Sequence, residues 1–245
     1  MIILSAGLRK SGSGLYFNLT NDLLIAARQE DVRDIRQQYK LDNVLKYHNC
    51  NLEELTWPNL KKILPLHFKG KTFVVKTHEG PTKMIRFLMA MKLVKVTFIY
   101  RDPRDVLLST LDHGEKIRRR GESHTFARFS SFENTIPRLK IWLDVALQWL
   151  ELGNILPVKY EDLIEKPVLE LQRLAKFLGI DINQIDLSSI YLNYRAKKLD
   201  DFQKNYLHFN VGRARRFTEI MGKEDLSICN RHFTQYYKRM GYNPE

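Results

Sequence analysis

The chain has 245 residues, 44% of them hydrophobic, and carries 40 lysines and arginines against 28 acidic side chains, a formal charge of +12. That composition excludes a disordered tail, and no apolar run reaches the roughly 18 residues that a membrane span needs. The positive excess calls for anionic partners (nucleic acid, an acidic membrane surface or a phosphate-rich ligand) without choosing among them.

In chain order, MIILSA reads as a short buried strand, and residues from about 14 to 29 as an amphipathic helix. VRDIRQQYKLDNVLKYHN is polar and mixed. TFVVKTHEG is a second apolar run closed by a polar turn, and PTKMIRFLMAMKL is a helix opened by Pro81. VKVTFIYRDPRDV is a third strand, with Val94, Val96, Phe98 and Tyr100 in alternation, and VLLSTLDHGEKI is the helix after it. ILPVKYEDL is a fourth strand and turn. PVLELQRLAKFLGI is a helix with Pro167 at its start and Gly179 as its C-cap. Between them, GEKIRRRGESHTFARFSS reads as a mobile surface loop.

Strands alternating with helices predict one α/β domain over residues 1–245, with a mostly parallel sheet flanked by helices. Cys50 and Cys229 lack metal-type spacing, which points to a reducing compartment. The first apolar stretch is short and lacks a basic flank, so no secretory signal is expected. The chain is therefore expected to be cytoplasmic.

The turn after the first strand, GLRKSGSG, has the composition of an anion site. Glycines let successive backbone N–H groups point inward, and the N-terminus of the following helix adds positive charge. Lys10 puts a full charge there, and Ser11 and Ser13 add hydroxyls. Gly7 and Gly12 have the separation of a Walker A loop, but Ser13 stands where its lysine should be. Ligands of open parallel sheets gather beyond the C-terminal strand ends. There the second strand places Lys76, Thr77 and His78. The third places Arg101, Asp102, Arg104 and Asp105, with Ser109 in the helix that follows.

These segments together resemble the sulfotransferases that use 3′-phosphoadenosine 5′-phosphosulfate (PAPS). RKSGSG is similar to the family's phosphosulfate loop, KTHEG to its KTH segment, and IYRDPRDVLLST to its 3′-phosphate segment. VKYEDLIEKPVLELQRLAKFLGI is similar to its YEDL segment and the helix beyond. The resemblance runs in order from residue 2 to about 180, and more loosely to about 222. It implies a P-loop-like sulfotransferase fold and transfer of a sulfuryl group to a hydroxyl or amine of a small-molecule acceptor, with 3′,5′-adenosine bisphosphate (PAP) leaving and no metal needed. It implies His78 as general base and Lys10 on the bridging oxygen. It sets the donor against Arg9, Lys10, Ser11, Gly12, Ser13, Gly14 and Leu15, its 3′-phosphate on Arg101 and Ser109, its adenosine beside Tyr160, and a C-terminal loop at Val211, Gly212 and Arg213. In three places the chain departs from the family. Ser13-Gly14-Leu15 replaces Thr-Thr-Trp, which removes the ring that stacks on adenine. Arg9 replaces a proline. Asn210-Val211-Gly212 replaces Arg-Lys-Gly, with Arg213, Arg215 and Arg216 offered as substitutes.

Two other readings fit parts of the chain. A P-loop kinase shares the strand–loop–helix logic, but the Walker order fails and Asp102, beside Pro103 and Arg104, is a poor metal acid. A nucleic-acid module is suggested by IRRRG and VGRARRF. Yet the cations gather at strand ends and in loops, so neither nucleic acid nor membrane is the expected partner. Residues 114–131 are expected to close over the acceptor, with Arg118, Arg119 and Arg120 read first as a water-facing run and, as the alternative, as favouring an anionic acceptor.

Overall fold

The computed structural model describes residues 1–194 and 212–244. Six strands form one sheet in the order β2-β3-β4-β1-β5-β6. They are β1 (Ile2–Gly7), β2 (Leu45–Lys46), β3 (Asn51–Leu52), β4 (Phe73–Thr77), β5 (Val94–Tyr100) and β6 (Leu156–Lys159). All pairings are parallel except that of β2 with β3. The four apolar runs of the sequence are β1, β4, β5 and β6. The two-residue strands β2, in the stretch that reads as polar and mixed, and β3, just beyond it, were not expected, because so short a pairing leaves no period to detect.

β1 is the central strand and every one of its residues is buried. A parallel strand covered on both faces reads as a continuous apolar run, and IILSAG is one. The chain leaves β1 to one side for β4 and crosses back to β5 on the other. With right-handed crossovers this reversal puts successive helices on opposite faces and opens a crevice at the C-terminal ends of β1, β4 and β5. The register aligns those ends: Ala6 is level with Thr77 and Gly7 with Ile99.

The helix after β1 is α1 (Ser13–Ala26). It was expected to be amphipathic, but ten of its residues from Ser13 to Leu24 are buried, polar Asn18, Thr20 and Asn21 included. α1 is enclosed because it packs on the sheet beneath and on later helices above. Its polar side chains turn to local partners: Thr20 Oγ1 donates to the Tyr16 carbonyl, and Asn18 Nδ2 to the Gly14 carbonyl, at 2.8 and 2.7 Å.

α2 (Val32–Gln38), α3 (Trp57–Phe68) and α4 (Lys83–Ala90) follow. α4 is capped by the Thr82 hydroxyl rather than opened by Pro81. α5 spans Pro103–Arg119, so the stretch read as a surface loop is helical through its first third. A 3₁₀ turn, Thr125–Arg128, lies within the rest. This segment is pinned to α5 in two ways. Gly114 lets it approach so closely that a Cβ there would lie 2.4 Å from the Phe129 carbonyl oxygen. Arg118 Nη1 also donates to the carbonyls of Ala127 and Phe129, at 2.8 Å each.

The reading along the chain leaves residues 132–150 unassigned. They form α6 (Phe132–Leu150), opened by a capping box of Ser131 and Asn134. α7 (Tyr160–Glu165) begins directly at the end of β6, where a turn was expected. α8 (Pro167–Leu178) ends at Gly179 in the left-handed region, as its sequence predicts. α9 (Leu187–Leu192), a short helix Phe217–Ile220 and a long last helix Lys223–Met240 complete the described elements. Cys50 and Cys229 are free and buried, with burial pushing their thiols up to about 11 and about 12, so both act as packing groups. No helix among the described residues is long and apolar enough to cross a membrane.

Candidate active site

The loop from Gly7 to Gly12 turns back over the sheet edge through two left-handed residues, Lys10 (φ 66°) and Gly12 (φ 79°). Only glycine fits at position 12, where the ring of Tyr160 stands 2.7 Å from where a Cβ would be. Gly12 is the N-cap of α1 and contributes no side-chain cap. The first-turn amides of Ser13, Gly14 and Leu15 are thus left to bind something else, and a helix N-terminus favours an anion. Ser11 has a different use from the one its sequence suggests. Its hydroxyl donates to the carbonyls of Leu8 (2.5 Å) and Ile99 (3.2 Å), and so ties the loop to β5.

His78 follows β4 and is level with Gly7. Its Nδ1 lies 2.7 Å from the Gly7 carbonyl oxygen and its Nε2 2.7 Å from Lys76 Nζ. A carbonyl only accepts, so Nδ1 carries the proton and Nε2 presents its lone pair. Lys76 is 6% exposed. Burial, and then the charge of Arg9, push its ammonium down to about 7. Lys10 is half-buried, with its Nζ 5.8 Å from the centre of the Phe126 ring. Burial is the main cause that lowers it to about 8; Arg101 and Lys116 push the same way and Asp112 opposes them.

Arg101 closes β5 and is 5% exposed. Its Nη2 donates to Asp105 Oδ2 at 2.7 Å and to the Arg213 carbonyl at 2.8 Å. Its Nε is buried and has no hydrogen-bond partner among the described residues. The guanidinium lies 4.2 Å from the centre of the Tyr160 ring. Tyr160 is thus wedged between Gly12 and Arg101 and spaces the loop from the arginine. Asp105 and Ser109 follow Arg101 at intervals of four residues on α5, which puts them on one helix face; both are buried.

The next residues lock this corner in place. Asp102 accepts from Arg104 through both carboxylate oxygens, at 3.0 and 2.8 Å. Arg104 lies over the rings of Phe217 and Tyr237, at 3.7 and 4.7 Å. Glu161 accepts from the Asp102 amide and from the Tyr242 hydroxyl. The pairing of Arg101 with Asp105 was legible at i and i+4, but sequence reading missed the parts played by Glu161 and Tyr242, because each works through a partner distant in the chain.

Of the C-terminal loop, Val211 lies outside the described residues. Gly212 is left-handed at φ 66°. Arg213 reaches the corner through its carbonyl, while its side chain pairs with Glu219. Arg215 pairs with Glu165 and Arg216 with Asp112. The three arginines offered as anion ligands are therefore each matched to a carboxylate. Leu15 is partly buried against the core.

Arg9 extends the other way, with its guanidinium 5.9 Å from the centre of the Trp142 ring on α6. Trp142, Phe126 and Phe129 form an aromatic cluster with centroids 5.5–5.9 Å apart. Phe126 also meets His113 and His124. Two sides of the sheet edge are thereby distinguished: a buried cationic corner at β5 and β6, and a half-open aromatic wall beside Arg9 and Lys10.

The family model for the sulfotransferase domain matches residues 3–239. This chain belongs to that family. Among curated proteins it is 28% identical to human sulfotransferase 4A1 over 180 residues, which is 70% of this chain and 57% of that protein. The chain spans about half the length of the curated relatives it matches. Among solved structures it is similar to mouse sulfotransferase SULT7A1 complexed with PAP, at TM-score 0.57 and 17% identity, covering 97% of this chain and 84% of that one. It is also similar to retinol dehydratase in complex with androsterone and PAP, at TM-score 0.62 and 18% identity, covering 97% and 80%. At such identities the likeness speaks for the fold: an α/β domain with a mostly parallel sheet and a P-loop-like turn after its first strand.

Proposed function

We propose that the chain transfers a sulfuryl group from PAPS to a hydroxyl or amine of a small-molecule acceptor, by in-line displacement, as a cytoplasmic enzyme. The observation that carries the reading is Arg101: a buried guanidinium with an orphaned Nε, lying beside the uncapped N-terminus of α1. Buried polar groups are nearly always satisfied, and a donor of this kind suits an anionic ligand. The corner at Arg101, Ser109 and Tyr160 would hold the 3′-phosphate end of the adenosine. The amides of Gly12, Ser13, Gly14 and Leu15 would hold the 5′ end. Of the loop residues, Arg9 supplies only main chain to this end, and Ser11 acts by fixing the loop.

Sulfuryl transfer resembles phosphoryl transfer, in which positioning and electrostatic stabilisation dominate. The S–O bond to the donor phosphate breaks as the bond from acceptor oxygen to sulfur forms. Lys10 stabilises the oxygen that leaves with PAP. The acceptor's proton goes to His78 Nε2, the nitrogen that the Gly7 carbonyl leaves unprotonated. Lys76 holds that lone pair in this structure, and a bound anion draws its ammonium toward the transferring oxygens.

PAP is expected to stabilise the chain by about 2.7 kcal/mol when present at a hundred times its dissociation constant. A thermal-shift comparison with ATP, ADP and AMP checks this. Equal shifts with all four nucleotides contradict the donor assignment, and a magnesium requirement for turnover favours a kinase instead. Affinity for PAP also depends on pH. Lys76 and Lys10 sit at about 7 and about 8, below the usual lysine range. The anion binds best when both are charged and raises both values. Affinity therefore falls as pH rises from 7 to 9, with net proton uptake. Calorimetry in buffers of different ionisation enthalpy reads that uptake, and a pH-independent affinity removes both lysines from the donor site.

A further inference from the structure

The cations of this site outnumber what the donor corner uses. Arg9 leans away from the donor corner toward α6. Its guanidinium lies over Trp142 of α6, and α6 also holds the end of β4, with Trp149 Nε1 donating to the Glu79 carbonyl at 2.9 Å. Arg138 is one helical turn before Trp142 and shares its face of α6. Burial is the main cause that lowers the pKa of Arg9; Glu79 opposes it, and the charge of Arg138 acts in the same direction as burial. Glu79 and Glu53 act on Arg9 from a distance, but neither Arg9 nor Arg138 has an ion pair among the described residues. Arg118, Arg119 and Arg120, which the sequence offers as an anion patch, are engaged elsewhere: on the carbonyls of Ala127 and Phe129, on Glu115 and on Glu122. Beside Arg9, Phe126 and Trp142 are half-buried and present ring surface next to Arg9 and Lys10 of the loop.

We propose that this wall selects an acceptor with an aromatic body and a negative charge, with Arg9 as the residue that reads the charge and Arg138 as its neighbour. The inference rests on the PAPS reading above and names its acceptor class. A partly buried guanidinium with no ion pair among the described residues can take a carboxylate, which it matches bidentately. Aromatic rings next to the cations suit a flat apolar body. The position is a proline in the family pattern, so the charge is a property of this chain.

The test titrates 4-hydroxyphenylacetate and its neutral partner 4-hydroxyphenylacetamide into the full chain saturated with PAP, by calorimetry. These two phenols differ in one charge remote from the reacting hydroxyl. The carboxylate is expected to bind about tenfold more tightly, the size of one charge-assisted hydrogen bond. Arg9→Gln is expected to abolish that preference, Arg9→Lys to keep part of it, and Arg138→Gln to reduce it. The affinity of Arg138→Gln for PAP is expected to stay within about twofold of the parent, because Arg138 lies on α6, outside the donor corner. Equal affinity for the two phenols overturns the proposal, as does a preference that survives Arg9→Gln, or no binding of either phenol while PAP binds normally. Failure of the parent chain to bind PAP overturns the donor reading instead, and the two phenols, titrated without PAP, are then judged by the same criteria.

Discussion

His78→Ala is expected to lower turnover by about 100-fold or more, the usual scale for a general base, while PAP binds as before. The grounds are local. The Gly7 carbonyl fixes the Nδ1 proton, so Nε2, 2.7 Å from Lys76 Nζ, keeps its lone pair. No other described imidazole occupies a strand end beside the loop: His113 lies on α5, and His124 accepts from the Phe126 amide at the 3₁₀ turn. The substitution also removes a partner from buried Lys76, so the melting temperature is measured alongside kcat. A variant with normal kcat removes His78 from the chemistry. One with lost PAP affinity makes it a donor ligand instead. The informative result is a fall in kcat with unchanged calorimetric affinity for PAP.

Arg101→Ala is expected to weaken PAP binding by roughly 100-fold, in line with about 2–3 kcal/mol for hydrogen bonds to a charged group. It also leaves Asp105 buried without its guanidinium, and breaking a buried pair destabilises by about 3–5 kcal/mol. Asp105 keeps one bond, from the Phe217 amide at 3.0 Å, so the fold loses part of its support at this corner. Arg101→Lys separates the two effects. It keeps a positive charge for Asp105 and loses the planar fork that a phosphate needs. Its melting temperature should recover most of the loss while its affinity for PAP stays low. If Arg101→Lys binds PAP like the parent, the 3′-phosphate lies elsewhere.

Much of the fold was legible because the strands that matter are apolar runs with polar ends. β1, β4, β5 and β6 each show as such a run, and the residues just beyond them carry the site. α8 was legible from Pro167 and Gly179, which report backbone geometry directly. α6 was not, since its pattern follows no strand and carries Pro137 inside the helix. The segment 114–131 was misread because charge and glycine imitate a loop. There Gly114 serves close packing, and Arg118 satisfies carbonyls of a turn that follows it in sequence.

The sequence by itself determined which chemical groups stand at the sheet edge, because strand ends and glycine turns are local properties of the backbone. It placed Lys10, Lys76, His78 and Arg101 at one rim. Direction and partnership were decided only by the tertiary structure. The hydroxyl of Ser11 ties the loop to β5, Arg9 leans to α6, Arg213 offers its carbonyl, and Lys76 loses its water and meets His78. Each of these depends on a group many residues away in the chain, brought near by the crossing from β4 over β1 to β5. Contacts of that kind leave no period or motif in a sequence, since they follow from how helices and strands pack and not from which residues adjoin.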